Sequence, residues 1–592
     1  MIKTGVIMYK TNKELADIFN DMADIYRFHG SKDRFRVIAY QNAARVIEHL
    51  TDDIRVFMDD DELEDIKGIG EGIAGKIREY IETGKIKKYG ELKKEFPHEL
   101  VDLLDVPGMG PKTLKKLHVE LDIKTRDDLL EALDSGEVEE LKGFGEKTVE
   151  NLRDGLVQTR EASDRILLAE ALEIVDELSD RLSACKEIQK LEFAGSIRRM
   201  KSTIGDVDIL ATSKKKDREK VLDYFTSLDG VKKVLARGET KASVIIEQKD
   251  RQVDIRMMDD NQWGAALLYF TGSKDHNIHL RTIAKDKGYK INEYGLYDIK
   301  SDKKITGESE EGIYKQLGLS WIPPEMRENE GEIELAAQHK IPKLLDHEDI
   351  KADFHLHSDW SDGLNTIEEL VHYVRDHYPY EFLILTDHSK SSRIASGLSE
   401  EEVLKQMEDI QSINEQLGEA FLKAGIELDI LPDGSLDFDD DLLSKLDWVT
   451  ASIHSRFNQD NTERIIKACE NSYVNAISHP TGRLIGKRKE YPVDLKKVIQ
   501  KAVETGTALE INAQPQRMDL DENWARMAHQ EGAMLVIGTD SHDLMSFDYM
   551  KLGVSVARRA WCTAKHIINT RGWEEVKQFR DHKRQHKKTA KV

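Results

Sequence analysis

The stretch AGSIRRMKSTIGDVDIL, residues 194–210, decides the fold of the middle of the chain. Gly195 and Ser196 favour a tight turn that can wrap a triphosphate, and Asp206 and Asp208 follow in an apolar run. Because side chains alternate along a strand, residues two apart lie on the same face. The stretch therefore predicts a phosphate-binding turn followed by a strand that presents two carboxylates together.

A third carboxylate, Asp254, lies in QVDIRMM (252–258), another run with β-type character. Three acids on adjacent strands can hold two Mg²⁺ ions, one bridging a triphosphate and one activating a 3′-hydroxyl. An Asp-x-Asp pair by itself is most often a surface feature. The preceding Gly-Ser turn and the third strand acid favour the metal site over that interpretation.

Two further runs follow, YFTGS at 269–273 and INEYG at 291–295, with Asn277 between them. With the turn and the three acids, they resemble the nucleotidyltransferase superfamily and, within it, the family X DNA polymerases. The resemblance implies an α+β palm with a small thumb, in which Asp206, Asp208 and Asp254 are catalytic. The positions that it places around the incoming nucleotide are Gly195, Ser196, Arg199, Gly205, Tyr269, Phe270, Gly272 and Asn277.

The same resemblance implies a role for most of these positions. Ser196 and Arg199 bind the β and γ phosphates, Gly205 contacts a phosphate through its backbone, Tyr269 and Phe270 screen the sugar, and Asn277 faces the base edge. One position departs from the family, which often has a basic residue two positions before the third Asp, where this chain has Gln252. If that basic residue helps to deprotonate the primer hydroxyl, Asp254 or a water must do so here.

Three related segments occur in the N-terminal region, each with an apolar residue, a Gly-x-Gly turn and an amphipathic helix. They are IKGIGEGIAGKI (66–77), VPGMGPKTLKKL (106–117) and LKGFGEKTVENL (141–152), with glycines Gly68, Gly70, Gly108, Gly110, Gly143 and Gly145. Such turns expose amide N–H groups at a helix start, where an anionic oxygen is favoured. Gly-x-Gly turns are common between packed helices, but three copies resemble helix-hairpin-helix modules, which grip DNA phosphates without reading sequence.

Lys76 lies eight residues after Gly68. In the polymerase family this region resembles the lyase domain, and Lys76 falls where that domain places its Schiff-base lysine. An amine attacks an aldehyde only when neutral, so a lowered pKa is required. The alternative is a solvated lysine on an amphipathic helix.

Seven apolar runs alternate with amphipathic helices after residue 350, and six of them carry His, Asp or Glu at or just beyond their ends. In a parallel βα barrel, functional residues converge at the C-terminal ends of the strands. The residues concerned, with Asp362 from the first loop, are His355, His357, Asp362, His388, Glu427, His454, His479, Asp540 and His542. A lone strand His is more often a core residue, but five such positions at one strand level favour a metal centre.

Imidazoles and carboxylates without thiolates suit Zn²⁺, Mn²⁺ or Fe²⁺. Nine ligands are too many for one ion and predict two or three ions that share carboxylates. The pattern resembles the polymerase and histidinol phosphatase (PHP) superfamily, and every ligand position expected of it is filled. That resemblance implies a distorted seven-stranded (βα) barrel, which hydrolyses phosphate esters and uses Mn²⁺ or Zn²⁺. Arg456 and Arg483 follow two of the ligand strands, where each could bind a substrate phosphate or form an ion pair.

The composition has 88 Lys and Arg against 111 Asp and Glu, a net charge of −23. Taken alone, this charge argues against nucleic acid, but metal-binding acids account for part of it and hairpins bind phosphate through backbone amides. Three scattered cysteines argue against a disulfide framework, and no apolar run reaches the ~18 residues of a membrane helix. The N-terminal segment lacks the apolar core of a secretory signal. A cytoplasmic, nucleoid-associated monomer is therefore expected.

The pattern predicts a multidomain α+β and α/β protein. The expected regions are 1–95 lyase-like with the first hairpin, 96–160 fingers-like with two hairpins, 161–260 palm, 261–320 thumb, 321–350 linker, 351–575 PHP domain and 576–592 basic tail.

The expected function is gap filling in base excision repair, with dNTPs and gapped or nicked DNA as substrates and a 3′–5′ exonuclease in the PHP domain. One alternative makes the barrel, as a phosphatase or nuclease, the main activity, with a palm that only binds. Others are a non-catalytic DNA scaffold and an RNA-directed or template-free nucleotidyltransferase. The complete ligand sets and the YFTGS turn favour the expected function over these alternatives.

Overall fold

The structure is a computed structural model. It describes residues 10–29, 34–48, 50, 53–58, 62–64, 66, 68–95, 100, 103, 109, 111–145, 148–149, 152–153, 156 and 165–589. The chain divides into two compact units, one of residues 1–164 with the loop 484–489, the other of residues 165–483 and 490–592. In the described ranges, no helix is both long enough and apolar enough to cross a membrane.

The first unit is helical where it is described. Its helices are α1 (Lys10–His29), α2 (Arg34–Glu48), α3 (Glu71–Thr83), α4 (Lys87–Glu95), α5 (Pro111–Leu121), α6 (Arg126–Ser135) and α7 (Glu137–Glu140), with short 3₁₀ helices at Ile54–Met58 and Glu62–Glu64. Local sequence sets several boundaries. Thr125 and Asp128 form a capping box at the start of α6, and Gly136 ends that helix in the left-handed conformation.

The palm is built on a five-stranded sheet. Its elements are β1 (Ile166–Leu167), α8 (Leu168–Ser183), β2 (Lys190–Phe193), α9 (Gly195–Arg198), β3 (Thr203–Ile204), β4 (Val207–Thr212), α10 (Arg218–Thr226), β5 (Val231–Arg237), β6 (Lys241–Ile246) and β7 (Gln252–Met258). The sheet order is β2-β4-β7-β6-β5, and β1 pairs with β3 separately. Strands β4 and β7 are parallel neighbours at its centre.

A small α+β region follows the palm. It contains α11 (Trp263–Thr271), α12 (Lys274–Asp286), β8 (Tyr289–Asn292), β9 (Gly295–Asp298), β10 (Lys304–Thr306), α13 (Glu310–Gln316) and α14 (Glu332–Ala337). The three strands form a sheet in the order β10-β9-β8. The helices bury one core, which Ile322, Met326 and Ile333 also enter.

Residues 321–350, expected to be a linker, are therefore packed against the thumb. Arg327 and Glu332 are fully buried there. Part of the polar composition reflects buried contacts: Arg327 Nη1 donates to Glu310 Oε1 at 2.6 Å in an ion pair, and His276 Nδ1 lies 2.6 Å from Glu332 Oε1, where burial lowers the pKa of the imidazole.

The C-terminal region is a seven-stranded parallel barrel. Its elements are β11 (Ala352–Asp353), α15 (Ile367–His377), β12 (Phe382–Leu385), α16 (Glu400–Leu417), β13 (Leu422–Asp429), α17 (Asp440–Leu443), β14 (Trp448–Ser452), α18 (Thr462–Glu470), β15 (Ala476–Ile477), α19 (Leu495–Thr505), β16 (Ala508–Asn512), α20 (Glu522–Glu531), β17 (Leu535–Gly538), α21 (Met550–Arg559) and α22 (Trp573–Thr589). The strands lie in chain order. Beyond their ends, Asp540 N donates to His355 O and His357 N to Ser541 O, both at 2.8 Å, so the last strand meets the first and the barrel is nearly closed.

Helix α22 contains most of the segment expected to be a solvated basic tail (576–592); residues 590–592 lie outside the described part of the chain. Val576 joins the apolar cluster formed by the first residues of several strands, among them Phe382 and Trp448. Two of the tail cations are used internally: Lys583 Nζ donates to Cys469 O at 2.9 Å, and Arg584 Nη2 donates to Leu446 O at 2.8 Å. The helix thus covers the end of the barrel opposite the predicted metal ligands.

Candidate active sites

The three palm acids meet at the centre of the five-stranded sheet. Asp208 of β4 pairs in register with Asp254 of β7, and Asp206 directly precedes β4. Gly195 lies against this site with φ +67°, and a Cβ built on it would stand 3.0 Å from Asp208 Oδ2. The turn predicted to hold the triphosphate therefore approaches the acids more closely than any other residue type would allow.

The two strand acids differ in charge environment. Burial raises the pKa of Asp208 to about 6, and the charges of Asp206 and Asp254 add to this shift. Burial also acts to raise the pKa of Asp254, but hydrogen bonds from Lys241, Ser243 and Gln252 outweigh it, so that pKa is lowered. A cation is the group that would relieve the repulsion among three acids, so the site fits divalent ions.

Lys241 is a site residue that the sequence motifs did not indicate. It begins β6, and its Nζ lies 2.5 Å from Asp254 Oδ2. Gln252, where the family often has a basic side chain, donates to Asp254 Oδ1 at 3.1 Å. The neighbouring strand therefore supplies a basic group to the third acid. No local motif could have identified it, because the contact depends on strand pairing.

The residues expected around the nucleotide lie beside the acids. Arg199 donates from Nη1 to Thr271 O and from Nε to Glu328 Oε1 at 3.0 Å. Gly272, at φ +73°, leaves room for this guanidinium, because a Cβ there would stand 3.1 Å from Arg199 Nη1. Ser196 lies in the short helix α9 and Gly205 between β3 and β4.

The aromatic pair continues this surface. The Tyr269 and Phe270 rings meet edge to face at 5.1 Å between centroids. Arg256, also missed from the sequence, lies 4.5 Å from the Phe270 ring centroid. Asn277 Nδ2 donates to Tyr269 O at 2.7 Å, which ties α12 to the end of α11.

The barrel brings all nine predicted ligands together at the C-terminal ends of its strands. Glu427 is central: its carboxylate lies 2.8 Å from His388 Nδ1, 3.3 Å from His454 Nε2 and 3.0 Å from His479 Nε2. The other contacts are His542 Nε2 to Asp362 Oδ1 at 3.2 Å, His388 Nε2 to Asp362 Oδ1 at 3.5 Å, His357 Nε2 to Asp540 Oδ1 at 3.2 Å and His355 Nε2 to Asp540 Oδ1 at 3.6 Å.

These ligands form three overlapping groups whose ligand atoms lie within 4.8 Å of one another. The groups are His357, Asp362, His388 and His542; His355, His357 and Glu427; and His388, Glu427 and His454. Among the members shared between groups, the Glu427 carboxylate can bridge two ions, whereas His357 and His388 would each bind a single ion.

The electrostatics of the cluster match a cation site. Burial opposes charge on His454, but Glu427 and Asp429 raise its pKa to about 10. Burial and the neighbouring His542 and His388 lower the pKa of His357 to about 3. Protons on some histidines thus balance the carboxylates, and metal ions would take over this role by displacing them.

Buried histidine nitrogens without hydrogen-bond partners also indicate a metal site. His355 Nε2 and both ring nitrogens of His357 are buried, and none has a partner in hydrogen-bond geometry in the described structure, although Asp540 Oδ1 lies 3.2 Å from His357 Nε2. Buried polar atoms are seldom left so, and imidazole nitrogens facing carboxylates are the donor set of a zinc, manganese or iron site. The residues present fit the metals that the PHP resemblance implies.

A second layer orients the ligands and was missed by sequence reasoning. Glu510 Oε1 lies 2.6 Å from His355 Nδ1, and Asp429 Oδ1 lies 2.6 Å from His454 Nδ1. Such carboxylate–histidine pairs fix ring orientation and raise ligand basicity. Gly538 provides the space, because a Cβ there would stand 2.4 Å from Glu510 Oε1. Glu510 lies in the one apolar run to which no ligand was assigned. That gap in the pattern is the sequence feature that could have indicated it.

The two arginines predicted to bind a substrate phosphate differ in their surroundings. Arg456 is exposed with φ +61°. Arg483 donates to the backbone carbonyls of Arg517 and Met518, and its Nη1 lies 3.4 Å from Asp521 Oδ2. These contacts fit the ion-pair alternative for Arg483. Arg517, not expected from the sequence, points Nε to Asp540 Oδ2 at 3.6 Å.

Two of the three hairpins are described, and they share one hydrogen-bond pattern. Ile69 N donates to Ile66 O and Phe144 N to Leu141 O, while the carbonyls of Gly70 and Gly145 accept from the next helix. Gly68 and Gly143 have φ +99° and +95°, which explains the glycine at each. Gly108 and Gly110 of the second hairpin lie outside the described residues.

Lys76 is half-buried on α3. Its Nζ donates to Gly72 O at 2.6 Å and lies 5.6 Å from the Tyr40 ring centroid. Burial lowers the pKa of Lys76, the nearby charge of Arg36 lowers it further, and Glu79 opposes both. This is the direction that Schiff-base chemistry needs.

Family models match three parts of the chain: a helix-hairpin-helix domain at residues 10–86, a SAM-like helix-hairpin-helix tandem at 100–157, and a DNA polymerase beta thumb at 266–328. The thumb match extends past residue 320 into the segment expected to be a linker. With the helical N-terminal region, the palm and the seven-stranded barrel, the predicted fold class is confirmed.

Three curated relatives cover different spans. The DNA polymerase/3′–5′ exonuclease PolX of Bacillus subtilis strain 168 is 39% identical over 551 residues, covering 92% of this chain and 95% of that protein. DNA polymerase lambda of Arabidopsis thaliana is 24% identical over 53% of this chain and 62% of its own length. A probable phosphatase of Thermoanaerobacter sp. strain X514 is 34% identical over 25% of this chain and 62% of its own length. Because PolX matches nearly the whole of both sequences, the chain belongs to the PolX family of DNA polymerase/3′–5′ exonucleases.

Proposed function

We propose that this protein is a repair polymerase that adds deoxynucleotides to the 3′ end at gaps or nicks in DNA, and that its barrel removes 3′-terminal nucleotides. One observation supports the pairing of these activities most: a palm triad and a nine-ligand barrel cluster lie in the same chain, and both are complete. The protein acts as a monomer associated with the nucleoid.

In the palm, Asp206, Asp208 and Asp254 would hold two Mg²⁺ ions, and these ions would supply charge neutralisation at the phosphates and would favour ionisation of the primer hydroxyl. Ser196 and Arg199 bind the phosphates beside the Gly195 turn. Lys241 and Gln252 keep Asp254 ionised. Asp254 accepts the proton of the primer 3′-hydroxyl, either directly or through a water.

In the barrel, the nine predicted ligands would hold two or three Mn²⁺ or Zn²⁺ ions, which would supply the chemistry of activating water at neutral pH and stabilising a leaving oxygen. Glu510 and Asp429 hold His355 and His454 in the ligating orientation. Arg456, which is exposed and follows His454 by two residues, is our candidate for binding a substrate phosphate.

A third activity, abasic-site lyase chemistry at Lys76, rests on a separate observation. The lowered pKa of Lys76 increases the fraction of neutral amine at a given pH, and the half-buried position leaves the side chain accessible.

The deciding experiment is incubation with a gapped duplex carrying a 5′-labelled primer, with and without dNTPs, in Mg²⁺ and then in Mn²⁺. We expect extension with nucleotides and shortening without them. Asp206→Ala with Asp208→Ala should abolish extension and leave shortening. His454→Ala, at a partly exposed ligand, should do the reverse. Thermal melting checks that each variant is folded.

Three results of this experiment would contradict the proposal or part of it. Shortening without any extension by the wild-type protein would favour the alternative in which the barrel is the main enzyme and the palm only binds. If the palm variant lost both activities while folded, the two sites would not be independent. Absence of both activities from the wild type would overturn the proposal.

A further inference from the structure

Arg559, at the end of barrel helix α21, reaches the loop of the palm that carries Arg199. It is almost fully buried, with 2% of its surface exposed. Arg559 Nη1 donates to Arg199 O at 2.7 Å and to Glu328 Oε1 at 3.2 Å, while Nη2 donates to Glu522 Oε1 at 2.7 Å. One barrel side chain therefore bonds to the palm backbone, to Glu328 of the segment 321–350 and to α20.

The same carboxylate oxygen holds the proposed phosphate-binding side chain. Glu328 Oε1 accepts from Arg199 Nε at 3.0 Å as well as from Arg559. Lys201, two residues beyond Arg199, lies 3.3 Å from Glu522 Oε1. Three cations thus share two partly buried carboxylates.

A triphosphate would compete with Glu328 for Arg199. When Arg199 turns to phosphate oxygens, Glu328 loses one partner, and a buried carboxylate without a partner is costly. Arg559 stays bonded to the same oxygen and to the backbone of Arg199. It therefore keeps the loop in place and keeps Glu328 neutralised during the exchange.

We propose that Arg559 of the barrel is a positioning residue for the nucleotide site of the palm. This inference rests on the proposed role of Arg199 in phosphate binding. It makes the barrel part of the apparatus that binds the incoming nucleotide, in addition to its own hydrolytic role.

Arg558 offers a matched control on the same helix. Its Nε lies 2.7 Å from Glu325 Oε1, and its Nη1 donates to Leu345 O at 2.7 Å. It joins the same helix to the same segment 321–350, but its bonds go to residues outside the Arg199 loop. Loss of interface packing should affect both arginines alike, whereas loss of nucleotide positioning should affect only Arg559.

The test is single-nucleotide insertion into gapped DNA at varied dNTP concentration. Arg559→Ala should raise KM for the nucleotide about tenfold, the effect of losing about 1.4 kcal/mol of binding, with kcat largely retained. Arg558→Ala should leave KM unchanged. Shortening of a single-stranded oligonucleotide in Mn²⁺ without nucleotides should be the same in both variants and the wild type.

A second variant pair keeps the proposal falsifiable if Arg559→Ala lowers stability. Adding Glu328→Gln to Arg559→Ala removes the uncompensated carboxylate, so KM should return toward the wild-type value. An unchanged KM in Arg559→Ala, an equal rise in Arg558→Ala, or no relief in the double variant would overturn the inference. Failure of the proposed function is distinguishable, because the wild type would then insert no nucleotide at all.

Discussion

Lys76 combines two properties that are hard to hold together in one lysine: an accessible amine and a lowered pKa. The first follows from its place on the amphipathic helix α3, and the second from partial burial beside Tyr40 and Arg36. Position alone does not distinguish a catalytic lysine from a solvated one. A lowered pKa favours the catalytic role, because only the neutral amine attacks an aldehyde.

Lys76→Ala is therefore expected to abolish covalent trapping of the protein on abasic-site DNA by borohydride. Since the pKa lies below the ordinary value, trapping by the wild type should rise with pH and reach its plateau at a lower pH than an ordinary lysine would allow. The measurement is the yield of crosslinked protein on a denaturing gel across a pH series.

Lys85→Ala, at an exposed position just beyond the same helix, is the control and should trap as the wild type does. Equal trapping by Lys76→Ala would contradict the assignment and would point to another amine.

At the scale of elements, the segment 321–350 is held by a buried ion pair as well as by apolar packing. Glu310 at the start of α13 bonds to Arg327, to Arg198 of the palm and to the indole nitrogen of Trp321. Burial acts to raise the pKa of Glu310, but the two arginines hold it well below its ordinary range. The thumb, the palm and the segment meet at one carboxylate.

Glu310→Gln should lower the free energy of unfolding by about 3–5 kcal/mol, because it leaves the fully buried Arg327 without a countercharge. The folded-state pKa of Glu310 lies below the unfolded value, so its contribution is present above about pH 4.5 and is lost as pH falls below that. Urea unfolding of the wild type and the variant at pH 7 and pH 4 measures both effects.

Glu311→Gln, at the exposed neighbouring residue, should change stability little at either pH. A Glu310→Gln variant with wild-type stability at pH 7 would show that the pair is not a net stabilising contact.

At the scale of the whole molecule, the net charge of −23 limits how tightly the protein holds DNA. Cations that the sequence offers as a DNA-binding tail are bonded inside the barrel, as Lys583 and Arg584 are. At the two described hairpins, phosphate contacts are expected to come from backbone amides at the glycine turns. We therefore expect few phosphates to be neutralised by side chains.

Binding to a gapped duplex should accordingly depend weakly on salt, with a log–log slope of about −4 or shallower at roughly −0.9 per contacted phosphate. Lys115→Ala, at an exposed position on α5, should reduce the magnitude of the slope by about one. Fluorescence anisotropy across a salt series measures both.

Lys577→Ala, at an exposed position on α22, is the control and should leave the slope unchanged. A steep slope that Lys577→Ala made shallower would show that the C-terminal helix contacts DNA after all.

The sequence by itself determined the fold class and the family, and it predicted the palm acids and the nine barrel residues that the structure brings together. Local rules sufficed for these, because alternation along a strand places Asp206 and Asp208 on one face and parallel strands end together. Only the tertiary structure decided which side chains hold those groups. His355 and Glu510 are 155 residues apart, and Lys241 meets Asp254 through strand pairing. The polar composition of 321–350 and of α22 suggested a linker and a solvated tail, but both segments are packed. A local pattern shows that a side chain is charged, but it does not show that a distant partner will bury that side chain.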